Sequence, residues 1–268
     1  MNVSEIIRWH RLITKDRETA ILGVPPATTR VTGGVGSHDP DHDHDNDSGH
    51  GHPDHDHDAP CYCRGTLIQT QRREVRIEDL AIGEMVVTIS GEAKPIKWIG
   101  RRSYAGQFIT GNRAVLPIVV RAGVLAPDIP VRDLWLSPRH ALLLDGVFVP
   151  AELLVNAQTI VQAEAVDQVD YFHLEFEAHE VILAEGTPAE SYVEYDNRHG
   201  FNNAHEFVAL YPDDTRPSFG YCLPLAEPGM PELTVIRTRL FERAASLGHS
   251  VNADPDLHLV IDPTILAA

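Results

Sequence analysis

The chain has 268 residues, 43% of them hydrophobic and 23% charged, and a formal net charge of −17 with histidine neutral. That length allows one or two domains with a proper core. The acidity argues against nucleic acid as the main partner, because backbone binding needs a basic surface. Three cysteines, Cys61, Cys63 and Cys222, make no disulfide framework, and the first two lie too close for an ordinary bridge. The first twenty residues hold no apolar run of signal-peptide length, and nothing reaches the roughly 18–20 apolar residues of a membrane-spanning helix. The expectation is a soluble protein, cytoplasmic or exported by a route without a signal peptide.

Taken in order, residues 1–30 have room for one short helix, with weak periodicity over 5–12. Residues 38–58 are almost wholly Asp, His and Gly. Such a tract has nothing apolar to bury against its ordering entropy, so it reads as a disordered linker. Its imidazoles and carboxylates suit zinc, nickel or copper, with His42, His44, His55 and His57 as weak ligand candidates. The fixed ligand spacing of an ordered site is lacking, so any divalent metal there is expected to be held loosely. No cofactor is expected.

The tract stops at Ala59-Pro60, and a β-rich pattern starts at Cys61. Short apolar runs at 66–70, 74–77, 85–89, 93–99, 117–121, 133–136, 141–144, 147–149, 159–163, 171–176 and 180–184 read as strands between turn residues. Asp145-Gly146 is a two-residue hairpin signal. This spacing of many short strands predicts an all-β domain. Residues 79–86 (DLAIGEMV) match 152–159 (ELLVNAQT) as a weak internal repeat. Gly83 then falls opposite Asn156, and these are two residue types that tolerate positive φ. Two copies of one unit suggest a pseudo-twofold fold. Residues 234–247 have helical periodicity with Gly248 as a stop, and 256–261 reads as a strand. The chain thus divides into a leader and linker (1–59), a β domain (60–205) and a small α+β C-terminal segment with one helix (206–268).

A thiol at the first globular position after a solvated tract can attack the peptide bond before it. Cleavage from within needs a nucleophile, a proton donor for the leaving amide nitrogen, a polar group for the carbonyl oxygen, and a strained or polarised peptide. Cys61 supplies the nucleophile. Ser137-Pro138-Arg139-His140 offers a hydroxyl and an imidazole three residues apart at a strand end, and His140 can take the thiol proton and pass one to nitrogen. The bland alternatives stand beside these roles. Free cysteine packs well in cores, a serine before proline caps turns, and a strand-end histidine is often structural. Cys63 reads as structural or redox-tuning rather than catalytic, and Cys222 as inert. Trp98 and Trp135 read as core or strand-edge residues.

Residues 61–192 resemble a Hint domain, the Hedgehog/intein autoprocessing module, and most of all the bacterial Hint family found in large secreted proteins. Cys61-Tyr62-Cys63-Arg64-Gly65-Thr66 resembles the opening Cys-aromatic-x-x-Gly-Thr motif, and 75–87 (VRIEDLAIGEMVV) resembles the strand that follows it. Ser137-Pro138-Arg139-His140 resembles the Thr-x-x-His block, with Ser for Thr. Tyr171-Phe172-His173-Leu174-Glu175 through His179 to Gly186 resembles the last conserved block. The resemblance implies a pseudo-twofold all-β horseshoe and an N–S acyl shift at the Pro60–Cys61 bond. The thioester would then be hydrolysed or passed to an unidentified acceptor, with the chain's own N-terminal segment as substrate. His173, where many inteins carry Asp, is implied as a second general base. Splicing inteins end in His-Asn; Glu190-Ser191 stand in that place, which implies cleavage without full splicing. The competing expectation is a non-catalytic Hint-derived module, structural or secretion-associated, with a metal-binding His/Asp tail.

Overall fold

The computed structural model describes residues 59–214 and 220–249. The expected helix near 5–12, the His/Asp tract with its four candidate ligands, and the expected strand at 256–261 lie outside the described residues. Fourteen short strands run in chain order among those described. They are β1 (Tyr62–Cys63), β2 (Leu67–Gln69), β3 (Glu74–Arg76), β4 (Met85–Val87), β5 (Ala93–Pro95), β6 (Trp98–Ala105) and β7 (Ile118–Val120), then β8 (Leu134–Leu136), β9 (Ala141–Leu144), β10 (Val147–Pro150), β11 (Ile160–Gln162), β12 (Gln168–Glu175), β13 (Val181–Ala184) and β14 (Thr187–Glu190). One six-stranded sheet has the order β11-β7-β8-β1-β12-β6, a second has β10-β9-β14-β13-β2-β3, and β4 pairs with β5. The all-β expectation holds.

The strands form where β-branched and large apolar residues alternate with turn formers. Asp145 and Gly146 take positive φ (50° and 81°), as the β9–β10 hairpin requires. The run at 93–99 divides. β5 ends at Pro95, and β6 starts at Trp98 and continues through Arg101 and Arg102 to Ala105, paired along its whole length with β12. The polar stretch hid this extension, since beyond Gly100 β6 alternates exposed and only half-buried residues.

The internal repeat is visible, but its register is one residue later than the sequence match. Gly83 has φ +86°, and the corresponding positive φ in the second copy belongs to Ala157 (+57°), not Asn156. The Asn156 side chain instead accepts from the N–H groups of Gln158, Thr159 and Ile160, at 3.1, 2.8 and 2.9 Å. Each copy is a 3₁₀ turn, Ile77–Asp79 or Ala151–Leu154, leading to a buried Val86 or Ile160.

The C-terminal segment has two described helices rather than one: α1 (Ala204–Leu210) and α2 (Pro231–Ser246). α2 covers the expected periodic run and buries Leu233, Ile236 and Leu240 in the main β core, on one helical face. Arg239 fixes it by donating to both oxygens of Asp145, at 2.8 and 2.7 Å. Phe201 and Phe207 pack edge-on against the buried Trp98, with ring centroids 5.3 and 5.8 Å away. Trp135 sits at a sheet surface, 37% exposed. No helix among the described residues is long and apolar enough to cross a membrane.

Candidate active site

β1 is only two residues long, yet it lies at the middle of its sheet. Tyr62 pairs with Phe172 of β12 on one side and Leu136 of β8 on the other. This placement gathers the sequence-predicted residues. Ser137 follows β8, His140 precedes β9, and His173 lies on β12.

Cys61 and Ser137 are joined twice. The Cys61 N–H donates to Ser137 Oγ at 2.8 Å, and the Ser137 N–H donates to the Cys61 carbonyl at 2.9 Å. The first of these nitrogens is the amide of the Pro60–Cys61 bond. The Cys61 thiol donates to the Ala59 carbonyl at 3.3 Å. Cys61 is 1% exposed and packs with Ala59, Cys63, Val115 and Tyr171. Burial pushes the Cys63 thiol far above the usual range, so it stays protonated. A cavity of about 10 Å³, lined by Ala59, Ser137, Tyr104, Tyr171 and their neighbours, adjoins this pair. That is room for about one water molecule.

His140 and His173 form a second group with Tyr62 and Glu190. The His140 ring lies 4.0 Å from the Tyr62 ring and 5.0 Å from that of His173, centroid to centroid. The Tyr62 hydroxyl donates to the Glu190 backbone carbonyl at 2.7 Å, and Glu190 Oε1 accepts from the Ala141 N–H at 2.6 Å. Both ring nitrogens of His140, both of His173, and Glu190 Oε2 are buried without a hydrogen-bond partner among the described residues. Neither imidazole therefore hydrogen-bonds Cys61. Its link to Ser137 is through the main chain, the His140 N–H donating to the Ser137 carbonyl at 3.1 Å.

Burial sets the charge states. It lowers His140 to about 3, helped by nearby His179, and lowers His173 well below the usual range, helped by His140 and His179. It raises Glu190 to about 8, against hydrogen bonds from Ala141 and Tyr221. At neutral pH both imidazoles are uncharged and Glu190 is largely protonated. His179 stands apart: its Nδ1 accepts from the Cys222 N–H at 3.0 Å. One ligand atom from each of His140, His173 and Glu190 lies within 4.8 Å of the others.

A family model described as the Hint domain matches residues 60–196, half of the chain. The chain belongs to the Hint-domain family. It is also similar to solved inteins. A DnaB intein from Synechocystis sp. PCC 6803 is 12% identical, with a TM-score of 0.36, covering 50% of this chain and 99% of that one. The gp41-1 intein is 10% identical, with a TM-score of 0.36, over 48% of this chain and 97% of its own. A bacterial intein-like domain from Clostridium thermocellum is 16% identical, with a TM-score of 0.34, over 49% and 98%. No curated protein matches the chain. Family membership rests on the family model, and with it comes self-processing as the family-level function.

Glu190 is the residue at this site that sequence reasoning passed over. Its one signal was its place opposite the His-Asn of splicing inteins. Pro188, two residues earlier, is a poor strand former, and no alternation in the sequence announces that β14 carries the carboxyl into the interior.

Proposed function

We propose that this Hint domain cleaves its own chain at the Pro60–Cys61 bond and does not splice. The Cys61 thiol adds to the Pro60 carbonyl carbon, the C–N bond breaks, and the nitrogen gains a proton as the α-amine of Cys61. Pro60 is then held as a thioester on Cys61 Sγ. Water adds to the thioester, Pro60 leaves as a carboxylate, and the thiol is restored. The leader is the product released.

The observation that carries this reading is the hydrogen bond from the Cys61 amide to Ser137 Oγ, at 2.8 Å. The hydroxyl accepts from the amide N–H there and so lies within reach of the leaving nitrogen; turned to present its own O–H, it can supply a proton as the C–N bond breaks. His140 and His173 are buried bases of the same site; the thiol donates to the Ala59 carbonyl, so in this reading its proton reaches an imidazole only after a side-chain rotation or through a water. The water-sized cavity beside Ala59 and Ser137 favours hydrolysis over a bulky acceptor. Glu190-Ser191 in place of His-Asn leaves no terminal asparagine to cyclise, which supports cleavage alone.

The test is the mass of the products. A released 1–60 fragment ending in a free carboxylate, carrying one ¹⁸O when the reaction runs in ¹⁸O-water, supports the hydrolytic route. An intact chain under reducing, metal-free conditions rejects it and favours a non-catalytic Hint-derived module.

A further inference from the structure

The family match ends at residue 196. Beyond it, one stretch of the chain returns to the site. Residues 221–226 run along β10, the edge strand of its sheet. The Phe148 N–H donates to the Pro224 carbonyl at 2.8 Å, and the Ala226 N–H donates to the Phe148 carbonyl at 2.7 Å. Leu225 thereby forms a parallel bridge with Phe148. These bonds cover the edge and fix the register of the stretch, which decides where Tyr221 falls.

Tyr221 is half-buried. Its ring packs on Phe148 and edge-on to His179, with centroids 5.9 and 5.2 Å away. Its hydroxyl faces the Glu190 carboxyl, which is itself 0% exposed. The next residue adds a second hold, the Cys222 N–H donating to His179 Nδ1 at 3.0 Å. A neutral imidazole that accepts at Nδ1 carries its proton on Nε2, so this contact fixes the His179 tautomer. Two adjacent residues from outside the family match thus reach Glu190 in the site and His179 beside it.

We propose that Tyr221 is a positioning residue of the site: its ring keeps water from the Glu190 carboxyl, and its hydroxyl holds that carboxyl facing His140 and His173. The titratable groups around the carboxyl are His140 beside β9, His173 on β12, Tyr62 on β1, Tyr221 and Cys222, while Arg139 faces the Tyr221 hydroxyl. A neutral carboxyl at this spot leaves both imidazoles uncharged. A hydrated carboxylate there would draw a proton onto one of them, because an opposite charge favours imidazolium. The bearing on cleavage rests on the cleavage reading above; the contact itself does not.

The experiment uses the full chain carrying Cys61→Ala, with ¹³C-labelled glutamate carboxyls and the Glu190 signal identified by its absence in Glu190→Gln. NMR follows its titration with pH. Tyr221→Phe keeps the ring but loses the hydroxyl that favours the carboxylate, so the midpoint should move up from about 8. Tyr221→Ala also admits water. Burial is the larger influence on this carboxyl, so here the midpoint should fall by about one pH unit or more. Opposite shifts support the proposal, and a midpoint unmoved in both variants, or moved the same way by both, overturns it. Circular dichroism checks that each variant is folded. If Tyr221→Ala does not fold, Tyr221→Phe decides alone, an upward shift supporting the contact and an unmoved midpoint overturning it. In chains that keep Cys61, the acid-side loss of leader release should begin at higher pH in Tyr221→Ala than in wild type, since water and a carboxylate both favour imidazolium. An acid limb that stays put while the titration moves would overturn the part Tyr221 plays in the reaction. A wild-type chain that does not cleave would sink the cleavage reading, and the titration would still decide the contact.

Discussion

The two halves of the site differ in how their polar groups are paired. Cys61 and Ser137 bind each other through two hydrogen bonds, of 2.8 and 2.9 Å, and the thiol has an acceptor at 3.3 Å. The ring nitrogens of His140 and His173 have no hydrogen-bond partner among the described residues. The half that holds the Pro60–Cys61 peptide is tied in place, and the half that holds the imidazoles is left open. A satisfied network rigidifies; an unsatisfied one stores free energy that a proton, a water or an ion can release. Under the proposed cleavage, positioning and reactivity fall to different residues of one site.

The comparison is broken most severely at the tied half. Ser137→Ala removes the hydroxyl from the Cys61 amide, and cleavage should slow by about 10²-fold or more, the usual loss for a proton-transfer group. His140→Gln leaves both Cys61–Ser137 hydrogen bonds intact and should slow cleavage less. Timed mass spectrometry of the two variants ranks them, and the reverse order would mean that the hydroxyl only positions the peptide.

Next in size is Tyr62→Phe. It keeps the ring on His140 but leaves the Glu190 carbonyl without its 2.7 Å donor, at a cost of about 1–3 kcal/mol for a buried unpaired group. Urea unfolding measures this, and a change below about 0.5 kcal/mol would mean that the carbonyl finds another donor.

The open half should appear in the acid limb of stability. His140 and His179 titrate near 3 and 4 when folded, below the usual 6.5 of an unfolded chain. The unfolded state therefore binds more protons between these values. This stability is fully present above about pH 6.5 and is lost as pH falls through about 4 toward 3. Unfolding free energies at pH 7 and pH 5 should differ accordingly, and His179→Gln should flatten the slope.

A pH dependence of opposite sign belongs to Glu190→Gln in EDTA. Glu190 titrates near 8 when folded, above an unfolded value of about 4.3, so its contribution is full below the unfolded value and is lost as pH rises through 8. The variant should match wild type near pH 4 and lose less stability than wild type as the pH rises from there to 9. Parallel curves would mean that Glu190 ionises freely.

Much of this was legible in the chain. Cys61, Ser137, His140 and His173 carried the family's spacing, and the Asp145-Gly146 hairpin followed from turn chemistry alone. β1 was missed because two residues show no periodicity; only the flanking β8 and β12 make it a strand. α1 was missed because seven residues of mixed character give little helical signal, and its place is fixed by Phe207 meeting Trp98. Glu190 was read as a departure from a motif, when its importance lies in burial beside two imidazoles. Burial of a polar residue is decided by tertiary packing, which local sequence does not encode.

The central claim is best tested on intact protein. Wild type and Cys61→Ala should be purified as full chains without metal, and their masses followed over time with and without dithiothreitol. Wild type should yield a fragment beginning at Cys61, faster with thiol, while Cys61→Ala stays whole. Cleavage that persists in Cys61→Ala, or a wild-type chain that never cleaves, would contradict the account.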